Sequence, residues 1–164
     1  MNKKIRQYIG IFAAIILYYI IHEGAHLICA INMGVFKNIN FIGVGIQIDV
    51  NNTLMTEMQM GIFCMVGVIS TLISGYLLVL LCNKICKVKS KNFKAIMYYV
   101  TMALLLIDPL YLSVLYRFFG GGDMNGISLL IEENIARGGF GIILIINGIL
   151  FWKVVLSKYI KSFK

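Results

Sequence analysis

Apolar positions run along this chain in four long blocks, separated by short polar or glycine-rich stretches. A helix rising 1.5 Å per residue needs about 20 mostly apolar residues to cross a bilayer. The blocks therefore predict transmembrane helices at about residues 7–33, 60–82, 93–119 and 139–156. Trp152 and Tyr159, at the end of the last block, suit a membrane interface. Between the first two blocks the period changes. In NINFIGVGIQIDVNN, Ile42, Val44, Ile46, Ile48 and Val50 alternate with Phe41, Gly43, Gly45, Gln47 and Asp49. Alternation with β-branched residues predicts a strand and a small hairpin or ribbon, too apolar for free solvation and so lying against or dipping into the bilayer. Asp108-Pro109 interrupts the third block, where proline predicts a kink or an unwound turn. GGGDMNG reads as a glycine-rich turn and ISLLIEENIA as a short amphipathic helix.

Composition sharpens this pattern. The chain has 164 residues, 60% of them hydrophobic and 13% charged, with one proline. That is too apolar for a soluble domain of this size, and the length predicts one membrane-embedded domain over residues 1–164. The fold class expected is all-α, with about four transmembrane helices and a β-like or re-entrant segment between the first two. The basic, apolar start resembles a signal peptide, but no clear cleavage site follows, so it is read as a retained first helix. The cysteines Cys29, Cys64, Cys82 and Cys86 lack the spacing of a zinc, redox or disulfide motif.

Charge changes the picture once more. A net charge of +8 could indicate nucleic acid, but the cations cluster between and after the apolar blocks. Lys3, Lys4 and Arg6 precede the first block; Lys84, Lys87, Lys89, Lys91 and Lys94 follow the second; Lys153, Lys158, Lys161 and Lys164 close the chain. That is membrane topology rather than a nucleic-acid footprint, and it predicts cytoplasmic termini. Richness in lysine, isoleucine and asparagine points to an AT-rich bacterial genome and a bacterial cell membrane.

HEGAH, at 22–26, holds both histidines of the chain inside the first apolar block. It fits H-E-x-x-H. Helical positions i and i+4 share a face, so His22 and His26 can reach one metal, with Glu23 beside them as general base. Zn²⁺ accepts imidazole nitrogens and, in a catalytic site, keeps one position for water. An ionisable residue at the centre of a membrane helix costs about 2.5–3.5 kcal/mol on insertion scales, so three such residues in ligand spacing argue for function.

A third protein ligand must come from Asp49, Glu57, Asp108, Asp123, Glu132 or Glu133. The first and third spans run in the same direction, so a ligand near the end of the third lies at the depth of HEGAH. Asp123 meets that condition, among glycines that permit close backbone approach. An aspartate there can also cap a helix, as can Asn125. Asp108 lies deeper, as an alternative ligand or as a hydrogen-bond partner of a ligand histidine.

HEGAHLICAINMGV followed by a glycine-containing β-like stretch resembles the site-two protease family of intramembrane zinc metalloproteases. The resemblance implies histidine ligands on an early transmembrane helix and an aspartate ligand from an LDG motif in a later one. GGGDMNG stands in that place, which makes Asp123 the third ligand, although glycine replaces the leucine. DPLYLSV, with Asp108 and Pro109, is similar to the family's proline segment, set farther upstream. The resemblance also implies a site toward the cytoplasm, whereas the lysine pattern carries HEGAH toward the outer face. The expected activity is zinc metalloendopeptidase hydrolysis of a membrane-embedded or membrane-associated protein or peptide, with the stretch Asn40–Val50 as a substrate-binding edge. The competing expectations are a non-catalytic membrane metal carrier or sensor, and an accessory subunit of a membrane complex.

Overall fold

The computed structural model describes residues 2–42, 45–120 and 122–163. α1 (Lys3–Asn32) starts at Asn2, whose side chain accepts the Lys4 N–H. Its buried positions, Gly10, Ala14, His22, His26 and Ala30, are separated by multiples of four residues. A helix turns once per 3.6 residues, so a strict spacing of four drifts around the helix surface. The stripe accordingly begins against the third span, where Ala14 packs with Val100, Ala103 and Leu104. It ends among Val35, Ile48, Phe63 and Val68. Gly34, with φ 68°, turns the chain out of the helix.

β1 (Phe36–Ile42) and β2 (Gly45–Val50) pair antiparallel, with Ile39 opposite Ile48 and a register shift between Phe36 and Asn38. This is the hairpin that the alternation predicts; Gly43 and Val44 lie outside the described residues. Ile48 and Val50 are buried in the main core. α2 (Glu57–Lys87) opens with a capping box in which Thr56 and Gln59 bond reciprocally. α3 (Lys91–Leu110) continues through a π-helical turn, Tyr111–Leu115, into α4 (Tyr116–Phe119). The short α5 (Asp123–Ile127) precedes α6 (Glu133–Leu150), which passes through a second π stretch, Phe151–Leu156, into α7 (Ser157–Phe163).

Four helical rods, Lys3–Asn32, Glu57–Lys87, Lys91–Phe119 and Glu133–Phe163, are long and apolar enough to cross a membrane. Large apolar side chains such as Phe12, Leu80, Phe118 and Trp152 point outward, whereas Thr71, Thr101, Asp108 and Asn147 are buried. Apolar outside and polar within is the arrangement that a hydrocarbon solvent favours.

Several expectations need correction. The rods extend beyond the apolar blocks, most of all the fourth, because backbone hydrogen bonds carry a helix past the point where apolar side chains stop. The third rod does not unwind at Asp108-Pro109. Proline has no N–H for the Leu105 carbonyl, and Asn147 Nδ2 donates to that oxygen instead, at 2.8 Å. Asn147 Oδ1 in turn accepts from the Tyr76 hydroxyl at 2.8 Å. The backbone adjusts just after the proline, in the π turn. ISLLIEENIA is not one helix: α5 ends at Ile127, turns follow, and α6 begins at Glu133. Tyr159 is 2% exposed, packed in a core with Cys82, Leu105 and Phe151, so it does not serve as an interface residue.

Candidate metal centre

His22 and His26 lie one turn apart on the buried face of α1, with ring centroids 4.9 Å apart. Their Nε2 atoms are 3.2 Å from each other. Asp123 comes from the far side of the molecule in sequence, 101 residues after His22, and places Oδ2 3.1 Å from His22 Nε2. Its Oδ1 is 3.4 Å from His26 Nε2. The three residues offer ligand atoms that all lie within 4.8 Å of one another and could hold a metal ion.

Local sequence explains how Asp123 reaches this point. Gly120 and Gly122 have φ 64° and 63°, a left-handed conformation that costs glycine little and other residues much. The glycines thus reverse the chain directly after α4, and Asp123 becomes the first residue of α5 rather than the capping residue, which is Gly122. α5 then packs hard against α2. A Cβ at Gly126 would overlap Cys64, and one at Gly61 would overlap Leu130. The same device clears the centre itself, because a Cβ at Gly67 of α2 would overlap both imidazoles.

The donor set fits a cation. With the protons on Nδ1, two imidazole lone pairs and a carboxylate converge on one small volume. Such acceptors repel one another unless a positive group stands among them. When the imidazoles instead carry a proton on Nε2 and donate to Asp123, they outweigh the burial that pushes its carboxyl up and hold it down at about 2.

Behind the histidines stands Asp108, 3% exposed. Its Oδ2 is 3.4 Å from His22 Nδ1, within reach of an ion pair but off the line of a hydrogen bond, so Nδ1 keeps no formal partner. The Tyr18 hydroxyl donates to Asp108 Oδ1, and the Thr71 hydroxyl donates to Oδ2. Tyr18 also stacks on His22, centroids 5.4 Å apart, while Phe63 lies against His26 at 4.8 Å. A carboxylate fed by two hydroxyls and facing Nδ1 favours the tautomer that leaves Nε2 free as a ligand.

Glu23 faces the hairpin. Its Oε2 accepts the Ile48 N–H at 3.3 Å. Strand residues turn N–H and C=O to the same side, so the outer edge of β2, away from β1, points toward Glu23. Both border a cavity of about 1090 Å³ that also reaches His22, His26, Asp108 and Asp123.

No family model, curated protein or solved structure matches this chain. The site's chemistry rests on its own geometry. Of the remaining acidic candidates, Asp49 borders the same cavity but pairs with Lys37 at 3.0 Å, Glu133 pairs with Arg137 at 3.7 Å, and Glu132 accepts from the Asn134 amide at 2.9 Å. Glu57 lies in the first turn of α2. Tyr18, Thr71 and Gly67 escaped the sequence reading. Tyr18 stands four residues before His22 and Thr71 interrupts an apolar run; those are the signals by which both can be found.

Proposed function

We propose that this chain is an intramembrane zinc metalloendopeptidase of the site-two-protease type, acting on a membrane-embedded or membrane-associated protein or peptide. The observation that carries the reading is the convergence of His22, His26 and Asp123 in one cavity with Glu23 and a free strand edge. His22 Nε2, His26 Nε2 and an Asp123 carboxylate oxygen would hold the metal. Zinc supplies polarisation of a carbonyl and a lowered water pKa when bound.

The remaining work falls to the chain's own residues. The outer edge of β2 pairs with an unwound substrate segment, which a helix buried in lipid cannot offer until its own hydrogen bonds open. A substrate carbonyl takes the Ile48 N–H, and the Glu23 carboxylate is released toward the scissile bond. Glu23 accepts a proton from the attacking water at a carboxylate oxygen as the O–C bond forms. It returns that proton to the amide nitrogen as the C–N bond breaks, leaving a carboxylic acid and an amine. Asp108, with Tyr18 and Thr71, orients His22 through Nδ1.

A second reading has a specific observation behind it. Because Glu23 bonds the Ile48 amide, its role can be to fasten the hairpin to α1 in a protein that binds metal without catalysis. The Glu23→Gln variant separates the two. Under the protease reading it keeps its metal and loses roughly 10²–10⁴-fold in cleavage of a reconstituted membrane peptide, the usual contribution of a general base. Cleavage at the natural rate sinks the protease reading. Elemental analysis of protein purified without chelators is the companion measurement: a chain lacking zinc would be an accessory subunit instead.

A further inference from the structure

A second cavity, of about 430 Å³, lies at the opposite end of the molecule and belongs to no part of the metal centre. Its construction follows from how the rods pack. α1 and the last rod both lean on α3 but scarcely touch each other at this end. A groove remains between them. Ala95, Tyr98 and Tyr99 of α3 form its floor, with Leu156 and Ile160 on the apolar wall and Lys3 and Arg6 at its mouth.

The charge here is one-sided. Among the described residues, neither Lys3, Arg6 nor the neighbouring Lys94 forms an ion pair with a carboxylate. The sequence holds no acidic residue before Glu23, between Glu57 and Asp108, or after Glu133. Lys94 is nonetheless 5% exposed, donating to the Ser162 carbonyl, and its ammonium stands 5.3 Å from the Phe163 ring centroid. The Arg6 guanidinium lies over the same ring at 5.4 Å. Of these cations, Lys3 and Arg6 line the groove, so an anion in it would meet both.

We propose that this groove binds the phosphate group of an anionic amphiphile, with Lys3 and Arg6 on the phosphate and the apolar wall along the chains. An apolar floor under a basic mouth matches a phospholipid in both halves, and basic pockets between spanning helices take such head groups. The site is independent of the proposed protease activity. Arg6 and His22 are separated by roughly 24 Å along α1, at 1.5 Å per residue.

The test is native mass spectrometry of the full chain released from mixed vesicles of phosphatidylglycerol and phosphatidylcholine. The expected result is a retained phosphatidylglycerol in preference to phosphatidylcholine, with retention falling about fivefold in Arg6→Gln. Ile160→Trp, which fills the groove and leaves every charge in place, should lower retention to the same degree. Lys89→Gln removes a cation from the same end outside the groove and should change nothing. Addition of millimolar inorganic phosphate separates the two sources of the ligand: a lipid that stays identifies a head-group site, and a lipid that is displaced identifies a site for free phosphate. Equal retention of both lipids, or an equal loss in Lys89→Gln and Arg6→Gln, overturns the proposal.

Discussion

Asp108 supports the centre without being one of the three groups that could hold the metal. A lone carboxylate at membrane depth costs about 2.5–3.5 kcal/mol on insertion scales. Here the hydroxyls of Tyr18 and Thr71 and the His22 imidazole surround it, which offsets that cost and aims the ring. Asp108→Asn keeps the shape and removes the charge. We expect it to weaken zinc binding by about 10–100-fold, as loss of a histidine's outer partner does, measured by competition with a chelator. A residue needed only for folding would lower the denaturation midpoint and leave the affinity of the folded fraction unchanged.

At the scale of elements, the third rod stays helical through Pro109 because another helix supplies what proline lacks. Asn147 on α6 reaches the Leu105 carbonyl and is itself held by Tyr76 of α2, so one buried amide ties three spans together. Replacing Asn147 with leucine leaves that carbonyl and the tyrosine hydroxyl without partners. The expected cost is about 1–3 kcal/mol, read as a lower midpoint in detergent denaturation. Pro109→Ala restores a backbone N–H for Leu105, so Asn147→Leu should cost distinctly less in that background. Equal costs in the two backgrounds would show that the pairing with Leu105 carries no energy. The hairpin is a second element whose role depends on a neighbour: among the described residues no strand pairs with the outer edge of β2, and Glu23 takes one of its donors.

For the whole molecule, polarity runs from end to end. Among the described residues, the Lys and Arg residues other than Lys37, Arg117 and Arg137 belong to the end where α1 begins, the last rod finishes and α2 connects to α3. The hairpin, the glycine turn and the candidate metal centre belong to the other half. On the positive-inside rule we expect the basic end in the cytoplasm and the hairpin outward. Thr53→Cys should react with a membrane-impermeant maleimide on intact cells, and Lys89→Cys only after permeabilisation, each compared with the parent chain. The reverse pattern would place the centre on the cytoplasmic side, as the site-two-protease resemblance implies.

The spacing of His22 and His26, the four long apolar helices and the hairpin were legible in the sequence because they depend on short-range periodicity: four residues between the histidines, two per strand alternation, an unbroken apolar run per helix. Local chemistry of that kind needs no knowledge of neighbours. Asp123 was ranked first among six carboxylates from depth and the surrounding glycines, but its contact with both histidines depends on positive φ at Gly120 and Gly122 and on close packing at Gly61 and Gly126. Asp108 was read as either an alternative ligand or a partner of a ligand histidine, and it stands beside His22 Nδ1. The roles of Thr71, Gly67 and Asn147 were not legible, since each acts through a partner dozens of residues away. The sequence by itself determined which groups were too costly to bury without a purpose. Only the tertiary structure decided which of them meet, because packing of separate helices, not spacing along one, brings their atoms within bonding distance.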